Sequence, residues 1–96
     1  MDLSEIETFL TIVNTKSITK TADILFLSQP TVSHRLKSLE KELGFPLIVR
    51  KKGFKNVELT SKGSEFVSIA ERYISLWKET QVLAQDRDST LLSIGC

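Results

Sequence analysis

The chain has 96 residues, of which 41% are apolar and 26% are charged, which suits one small domain with an attached element. It contains no run of about 18 apolar residues, and its acidic start, MDLSEIETF, is unlike a secretory signal, so we expect no membrane association. The single cysteine, Cys96, excludes an internal disulfide and a cysteine-rich zinc site, and together these features predict a cytoplasmic protein without a metal site.

The net charge of +1 conceals an uneven distribution of charge along the chain. Residues 16–62 hold ten Lys or Arg against four Asp or Glu, whereas the remainder holds three against eight. A basic middle between acidic ends favours a single surface that faces a polyanion. An ordinary solvated charged face is the alternative interpretation.

Apolar residues at steps of three and four predict a first helix over residues 2–15. Its apolar positions are Leu3, Ile6, Phe9, Leu10 and Val13. Asp2, followed three residues later by Glu5, is typical of a capping box at a helix start. A short second helix is predicted over residues 18–26, with Ser17 as its N-cap.

The stretch SQPTVSHRLKSLEKELG, residues 28–44, predicts a third helix. Ser28 can cap its start, Pro30 falls in the first turn, where a missing N–H costs little, and Gly44 can end it. The apolar stripe at steps of four, three and four consists of Val32, Leu36, Leu39 and Leu43. The opposite face is polar and basic and presents Gln29, Pro30, Ser33, His34 and Lys37.

The second half of the chain predicts a hairpin and then a long helix. Two short β-type runs, residues 47–49 and 57–59, flank the basic segment 50–56, which indicates a hairpin with a basic tip. Residues 61–88 contain no proline and no glycine after Gly63, so we predict a helix of about 28 residues, roughly 42 Å long. The final apolar run, LLSIGC, resembles the beginning of a strand, and we interpret residues 90–96 as the start of a further domain.

The long helix carries a heptad-like apolar seam. Its members at alternating steps of four and three, with the residues that widen the seam, are Phe66, Ile69, Ala70, Tyr73, Leu76, Trp77, Thr80, Leu83 and Ala84. A helix this long cannot bury every face on so small a domain, so we expect the seam to be a homodimer interface. Packing of its first turns on the first helix is the alternative, and a ligand cage around Trp77 is less favoured.

These elements in this order predict a mainly α fold, a winged helix-turn-helix of three helices and a β-hairpin wing over residues 1–60, with a linker helix over 61–89. The major groove of DNA, about 12 Å wide, admits one helix, and the second helix of the pair enters it with its N-terminal residues nearest the bases. Gln can bond adenine bidentately, and the wing would follow the backbone or the minor groove. The expected DNA-contacting residues are Ser17, Thr19, Lys20, Ser28, Gln29, Pro30, Thr31, Ser33, His34, Lys37, Arg50, Lys51, Lys52 and Lys55.

The same stretches resemble the DNA-binding half of LysR-type bacterial transcriptional regulators. The resemblance covers nearly the whole chain and rests on SQP at 28–30, LEKELG at 39–44 and LTSKG at 59–63. It implies a regulator that binds promoter DNA as a homodimer, in which the linker helices form the contact between the two chains. A tetramer is the alternative assembly at full length. The resemblance also implies a small-molecule effector in the further domain and no cofactor in residues 1–96. Thr21 stands where the family often has alanine and His34 where arginine is most common, so the preferred DNA sequence does not follow from the resemblance.

An enzyme is the opposing hypothesis. A single histidine and the lack of a glycine-rich phosphate loop argue against it, and Glu40 and Glu42 are expected on different sides of their helix. The remaining alternative is a winged-helix domain used for protein association.

Overall fold

Three helices precede a two-stranded sheet and a fourth, much longer helix. The computed structural model describes residues 1–49 and 57–94, with side chains in the last helix described as far as Ala84. The elements are α1 (Leu3–Thr15), α2 (Ile18–Leu25), α3 (Gln29–Leu43), β1 (Ile48–Val49), β2 (Glu58–Leu59) and α4 (Ser61–Ile94). This order confirms the predicted mainly α winged helix-turn-helix.

The first three helices begin at the predicted side-chain caps. Asp2, Ser17 and Ser28 each accept a hydrogen bond from the backbone N–H three residues further on, at 2.9, 3.1 and 3.3 Å. Each bond satisfies an N–H that the helix itself leaves without a partner. At the same helix start, Glu5 Oε1 is buried and makes no hydrogen bond among the described residues. The N–H of Glu5 holds the pKa of the Asp2 carboxyl below its ordinary value.

The same three helices end at residues with left-handed backbone. Gly44 has φ 84° and ends α3 as predicted, while Lys16 and Phe26 both have φ 57°. Glycine adopts this conformation without steric cost, whereas lysine and phenylalanine carry a Cβ that opposes it. The predicted end of α2 at Phe26 is therefore its C-cap.

The core lies where α1 contacts α2, α3 and α4. The ring centroids of Phe9 and Phe66 are 5.5 Å apart and the ring planes are tilted by 52°, which is an arrangement that aromatic pairs prefer. The buried apolar side chains are Ile6, Phe9, Ile12, Ala22, Val32, Leu36, Leu39, Leu47, Ile48, Phe66 and Ala70. Thr21 is buried beside them and donates to Ser17 O at 2.8 Å, so its hydroxyl is satisfied.

The two strands form an antiparallel pair, with Ile48 opposite Leu59 and Val49 opposite Glu58. Each is one residue shorter than its predicted run, because Leu47 and Val57 lie just outside the ladder. The N–H of Val57 instead donates to Lys16 O at 2.9 Å, which ties the start of β2 to the turn between α1 and α2. The predicted basic tip, residues 50–56, lies outside the described part of the chain.

The long helix corrects one prediction. α4 continues to Ile94, so the predicted helix end at Asp88 is six residues too early and the run that begins at Leu91 is helical rather than the start of a strand. Leucine is a strong helix former, and the first glycine after Gly63 is Gly95, so no residue in between stops the helix. None of the described helices is both long and apolar enough to cross a membrane.

Candidate nucleic-acid interface

Helix α3 has one apolar face, which packs in the core, and an opposite face that is polar and points outwards. Val32, Leu36 and Leu39 are fully buried. On the opposite side the side chains of Gln29, Pro30, His34 and Lys37 are exposed, while that of Ser33 is half-buried. Four exposed residues, spread over the first nine residues of one helix, can therefore meet a partner together.

The start of α3 is rigid. The Ser28 hydroxyl accepts from the Thr31 N–H and lies 2.8 Å from the Thr31 hydroxyl oxygen, so these two side chains hold each other. Pro30 occupies the first turn, where its fixed φ suits the helix. Ser28 and Thr31 thus build the helix start, whereas Gln29 and His34 are exposed and carry donors and acceptors that suit base edges.

The start of α2 supplies a second polar site. Ser17 is half-buried and serves as the N-cap, whereas Thr19 and Lys20 are exposed. N–H groups at a helix start favour an anion, and Lys20 adds a full positive charge there. Thr19 and Lys20 are therefore the residues of this helix that suit a phosphate.

The wing residues Arg50, Lys51, Lys52 and Lys55 were predicted to contact DNA and lie outside the described residues. The described strands on either side of them, β1 and β2, are paired and rest on the core through Ile48. The base of the hairpin therefore belongs to the same packed unit as α3.

The seam on α4 divides into two parts. Phe66 and Ala70 are 4% and 0% exposed, so the structure corrects their assignment to an interface with a second chain: both pack in the core of their own domain. Tyr73 is half-buried against that core. The exposed remainder consists of Ile69, Leu76, Trp77, Thr80, Leu83 and Ala84.

Beyond Tyr73 the apolar surface of α4 is open to solvent. Leu76 and Leu83 are 63% and 68% exposed, and a groove of about 220 Å³ is lined by Tyr73, Leu76, Trp77 and Thr80. Val82 is exposed as well and was missed because it lies off the alternating four-and-three pattern. Burial of this surface would remove several large apolar side chains from water, which favours association.

The two glutamates near the end of α3 have different partners. The carboxylate of Glu40 accepts the N–H of Leu47, while that of Glu42 pairs with the Met1 amino group. Glu42 raises the pKa of that amino group above its ordinary value. Among the described residues no three or more His, Cys, Asp or Glu side chains are grouped in a way that could hold a metal ion.

Comparison with known sequences gives a consistent group of relatives. The family described as "Bacterial regulatory helix-turn-helix protein, lysR family" matches residues 3–64. The HTH-type transcriptional regulator HdfR of Yersinia enterocolitica is 34% identical over 96 residues, which cover 99% of this chain and 32% of the relative. HdfR of Yersinia pestis strain Pestoides F is 33% identical over the same shares. The chain thus spans about a third of the length of the curated relatives it matches.

Comparison with solved structures gives close matches of the fold. A complex of BenM_DBD with catB site 1 DNA matches with a TM-score of 0.84 and 31% identity, over 93% of this chain and 97% of that chain. Full-length OxyR C199D from Pseudomonas aeruginosa matches with a TM-score of 0.83 and 31% identity, over 90% of this chain and 28% of that chain. A CbnR_DBD–DNA complex has a TM-score of 0.83 at 24% identity, over 90% and 97% of the two chains, and supports the fold.

Proposed function

Because the chain belongs to the LysR family of bacterial regulatory helix-turn-helix proteins, we propose that it is the part of a transcriptional regulator that recognises promoter DNA. In this proposal α3 lies in the major groove, with its N-terminal turns nearest the bases. The regulator acts by binding and carries out no reaction.

The observation that carries this proposal is the exposed polar face of α3 opposite its fully buried stripe. Gln29 offers both a donor and an acceptor, the pair that adenine N6 and N7 require. His34 lies about one and a half turns further along the helix and can serve a base acceptor or a phosphate. Lys37, one turn beyond, suits a phosphate.

Contacts to the DNA backbone would surround this reading face. Thr19 and Lys20 at the start of α2 suit one phosphate group, and the basic residues of segment 50–56 suit the backbone or the minor groove. These contacts would set the register of α3 on the duplex without reading sequence.

The exposed apolar surface of α4 supports a homodimer. A two-fold pair of α4 helices would cover Leu76, Trp77 and Leu83, which are 63%, 43% and 68% exposed in the single chain. Two copies of α3 would then meet two half-sites of a symmetric DNA site. A tetramer at full length is the higher assembly that we propose as an alternative.

The relatives are about three times as long as this chain. We therefore propose that the complete protein acts in the bacterial cytoplasm and carries a C-terminal domain that binds a small-molecule effector. Since α4 continues to Ile94, the boundary with that domain is better drawn after Ile94 than after residue 89.

A mobility-shift titration tests the proposal directly. Duplexes from the promoters next to the gene are compared with scrambled duplexes of the same composition, at about physiological salt. We expect specific binding at least about a thousandfold tighter than binding to the scrambled DNA. Equal affinity for both would contradict sequence recognition, and the lack of any binding would favour a role in protein association.

A further inference from the structure

The peptide of Leu47 lies between α3 and the start of α4. Its N–H donates to Glu40 Oε2 at 2.7 Å, and the N–H of Ile48 reaches the same oxygen at 3.4 Å. Its carbonyl accepts the N–H of Thr60, the residue before α4, at 3.0 Å. Leu47 itself is fully buried. One buried residue is therefore bonded to the reading helix on one side and, on the other, to the residue that precedes the long helix.

The first turn of α4 is locked to the same backbone. The Thr60 hydroxyl donates to Pro46 O at 2.7 Å and accepts from the Gly63 N–H at 2.9 Å, so it caps α4 and fastens it to the segment before β1. A Cβ on Gly63 would lie 2.1 Å from Leu47 O and 2.9 Å from Leu47 C. Only glycine permits so close an approach, since any other residue would push α4 away from Leu47.

The hydrogen bond that the Leu47 N–H donates to the Glu40 carboxylate is directional and charge-assisted. A carboxylate that accepts from a backbone N–H makes a shorter and stronger hydrogen bond than a neutral pair does. Glu40 is half-buried, so water screens this bond less than it would on an open surface. The C-terminal half of α3 is thus held to the chain that leads into β1.

We propose that this junction, defined as Glu40, Leu47, Thr60 and Gly63, fixes the angle between α3 and α4 and thereby the spacing of the two half-sites that a dimer recognises. The inference rests on the proposed function. From Gly63 to Trp77 the helix is about 21 Å long, so a small tilt at Gly63 becomes a larger displacement at the exposed apolar residues. In a dimer formed by those residues, the distance between the two copies of α3 follows from that tilt.

The first step of the test identifies the DNA site of the unchanged chain. Bound duplexes are selected from a pool of random DNA, which yields the half-site sequence and the spacing between paired half-sites. Duplexes with one half-site, and with two at the selected spacing or one base pair more or less, then serve as probes for the variants.

Gly63→Ala is the main variant, and Ser64→Ala, on the exposed side of the same turn, is its matched control. We expect Gly63→Ala to bind a single half-site within about twofold of the unchanged chain and to bind the paired site about tenfold more weakly, because the linkage between half-sites is misaligned. Its preference among the three spacings should shift or disappear. Ser64→Ala should keep both the affinities and the spacing.

Glu40→Ala and Glu40→Gln provide an independent pair that does not depend on the folding of Gly63→Ala. Glutamine retains an oxygen that can accept from Leu47, so it should largely preserve the spacing preference, whereas alanine should weaken it. Glu42→Ala, on the same helix, is the control. A merely structural role for Glu40 would lower thermal stability and leave the ratio of paired-site to single-site affinity unchanged.

The outcomes separate this inference from the function it rests on. If the unchanged chain selects no sequence, or only isolated half-sites, the proposed DNA recognition or the proposed dimer fails, and the inference falls with it. If it selects paired half-sites and both Gly63→Ala and Glu40→Ala retain its spacing preference, the proposed function stands and the junction does not set the spacing.

Discussion

At the scale of single residues, hydrogen bonding at the start of α3 separates side chains that build the helix from those that face outwards. The hydroxyl groups of Ser28 and Thr31 are hydrogen-bonded to each other at the helix start, and Ser28 also accepts from the Thr31 N–H. Gln29, which lies between them in the chain, has an exposed side chain. A side chain already bonded within the helix has less to offer a base than one with a free amide. Gln29 is therefore the residue at which recognition is most directly tested.

Replacing Gln29 by alanine should cost about 1–3 kcal/mol of binding free energy on the proper DNA site and little on random DNA, because a bidentate base contact is lost. Asn14→Ala is the matched control, since Asn14 is an exposed amide at the far end of α1. Titrations of both variants on both duplexes decide the matter. An equal loss on the two duplexes would make Gln29 a backbone contact.

Phe26 combines an exposed apolar side chain with an unfavourable backbone conformation. Its side chain is 93% exposed and its φ is 57°, so it gains little from burial while its Cβ opposes the left-handed backbone. Phe26→Asn should raise the free energy of unfolding by about 1 kcal/mol, because asparagine tolerates this conformation. Phe26→Ala has no side-chain amide that could hydrogen-bond with the local backbone, so it should show no such gain. Urea unfolding measures both, and a gain shared by the two variants would rule out backbone strain as the cause.

At the scale of elements, α4 combines two tasks. Its first turns complete the core through Phe66 and Ala70, and its later turns expose Leu76, Trp77 and Leu83. The change occurs near Tyr73, where the rest of the domain no longer covers the helix. Substitutions on either side of Tyr73 should therefore affect different properties.

Phe66→Ala should lower the free energy of unfolding by about 3–5 kcal/mol, because it removes a buried ring from the core. Trp77→Lys should leave the unfolding of the single domain nearly unchanged and disrupt the dimer, because it would bury an unpaired charge in an apolar contact. Circular dichroism and sedimentation velocity measure the two effects. A Trp77→Lys variant that remains dimeric would exclude this part of α4 as the interface.

At the scale of the whole molecule, the uneven distribution of charge matters more than the net charge of +1. The excess of basic residues lies in 16–62, which includes α2, α3 and the wing, whereas the acidic excess lies at the ends of the chain. Proteins that neutralise phosphates release the counterions bound to DNA, so their affinity falls as salt rises. The affinity of the proposed interface should therefore fall as salt rises, because its lysines and arginines would neutralise phosphates.

The logarithm of the binding constant should fall linearly with the logarithm of salt concentration, with a slope of about 0.9 for each phosphate neutralised. Lys52→Ala should reduce that slope by about 0.9 and weaken binding to specific and random DNA alike. Lys78→Ala, an exposed lysine on α4, is the control and should leave the slope unchanged. Affinity that does not respond to salt between about 50 and 200 mM would contradict a phosphate-facing surface.

Most of the fold could be predicted from the sequence because its signals are local. Asp2, Ser17 and Ser28 cap helices through bonds to residues three positions away, and Gly44 ends α3 through its own backbone freedom. The polar face of α3 follows from a helical period that places Val32, Leu36 and Leu39 on the opposite side. Interactions between residues three or four positions apart can be predicted from the sequence directly, because both partners lie in the same short segment.

Only the tertiary structure decided which part of the seam on α4 is buried and how α4 is joined to α3. Phe66 is buried because it meets Phe9, and Gly63 is required because it meets Leu47, and neither partner can be inferred from helical periodicity. The end of α4 lies beyond the predicted end for a related reason, since a short apolar run such as LLSI suits a strand as well as a helix. Contacts between residues far apart in the chain depend on how the packed elements meet, and a local pattern does not encode that geometry.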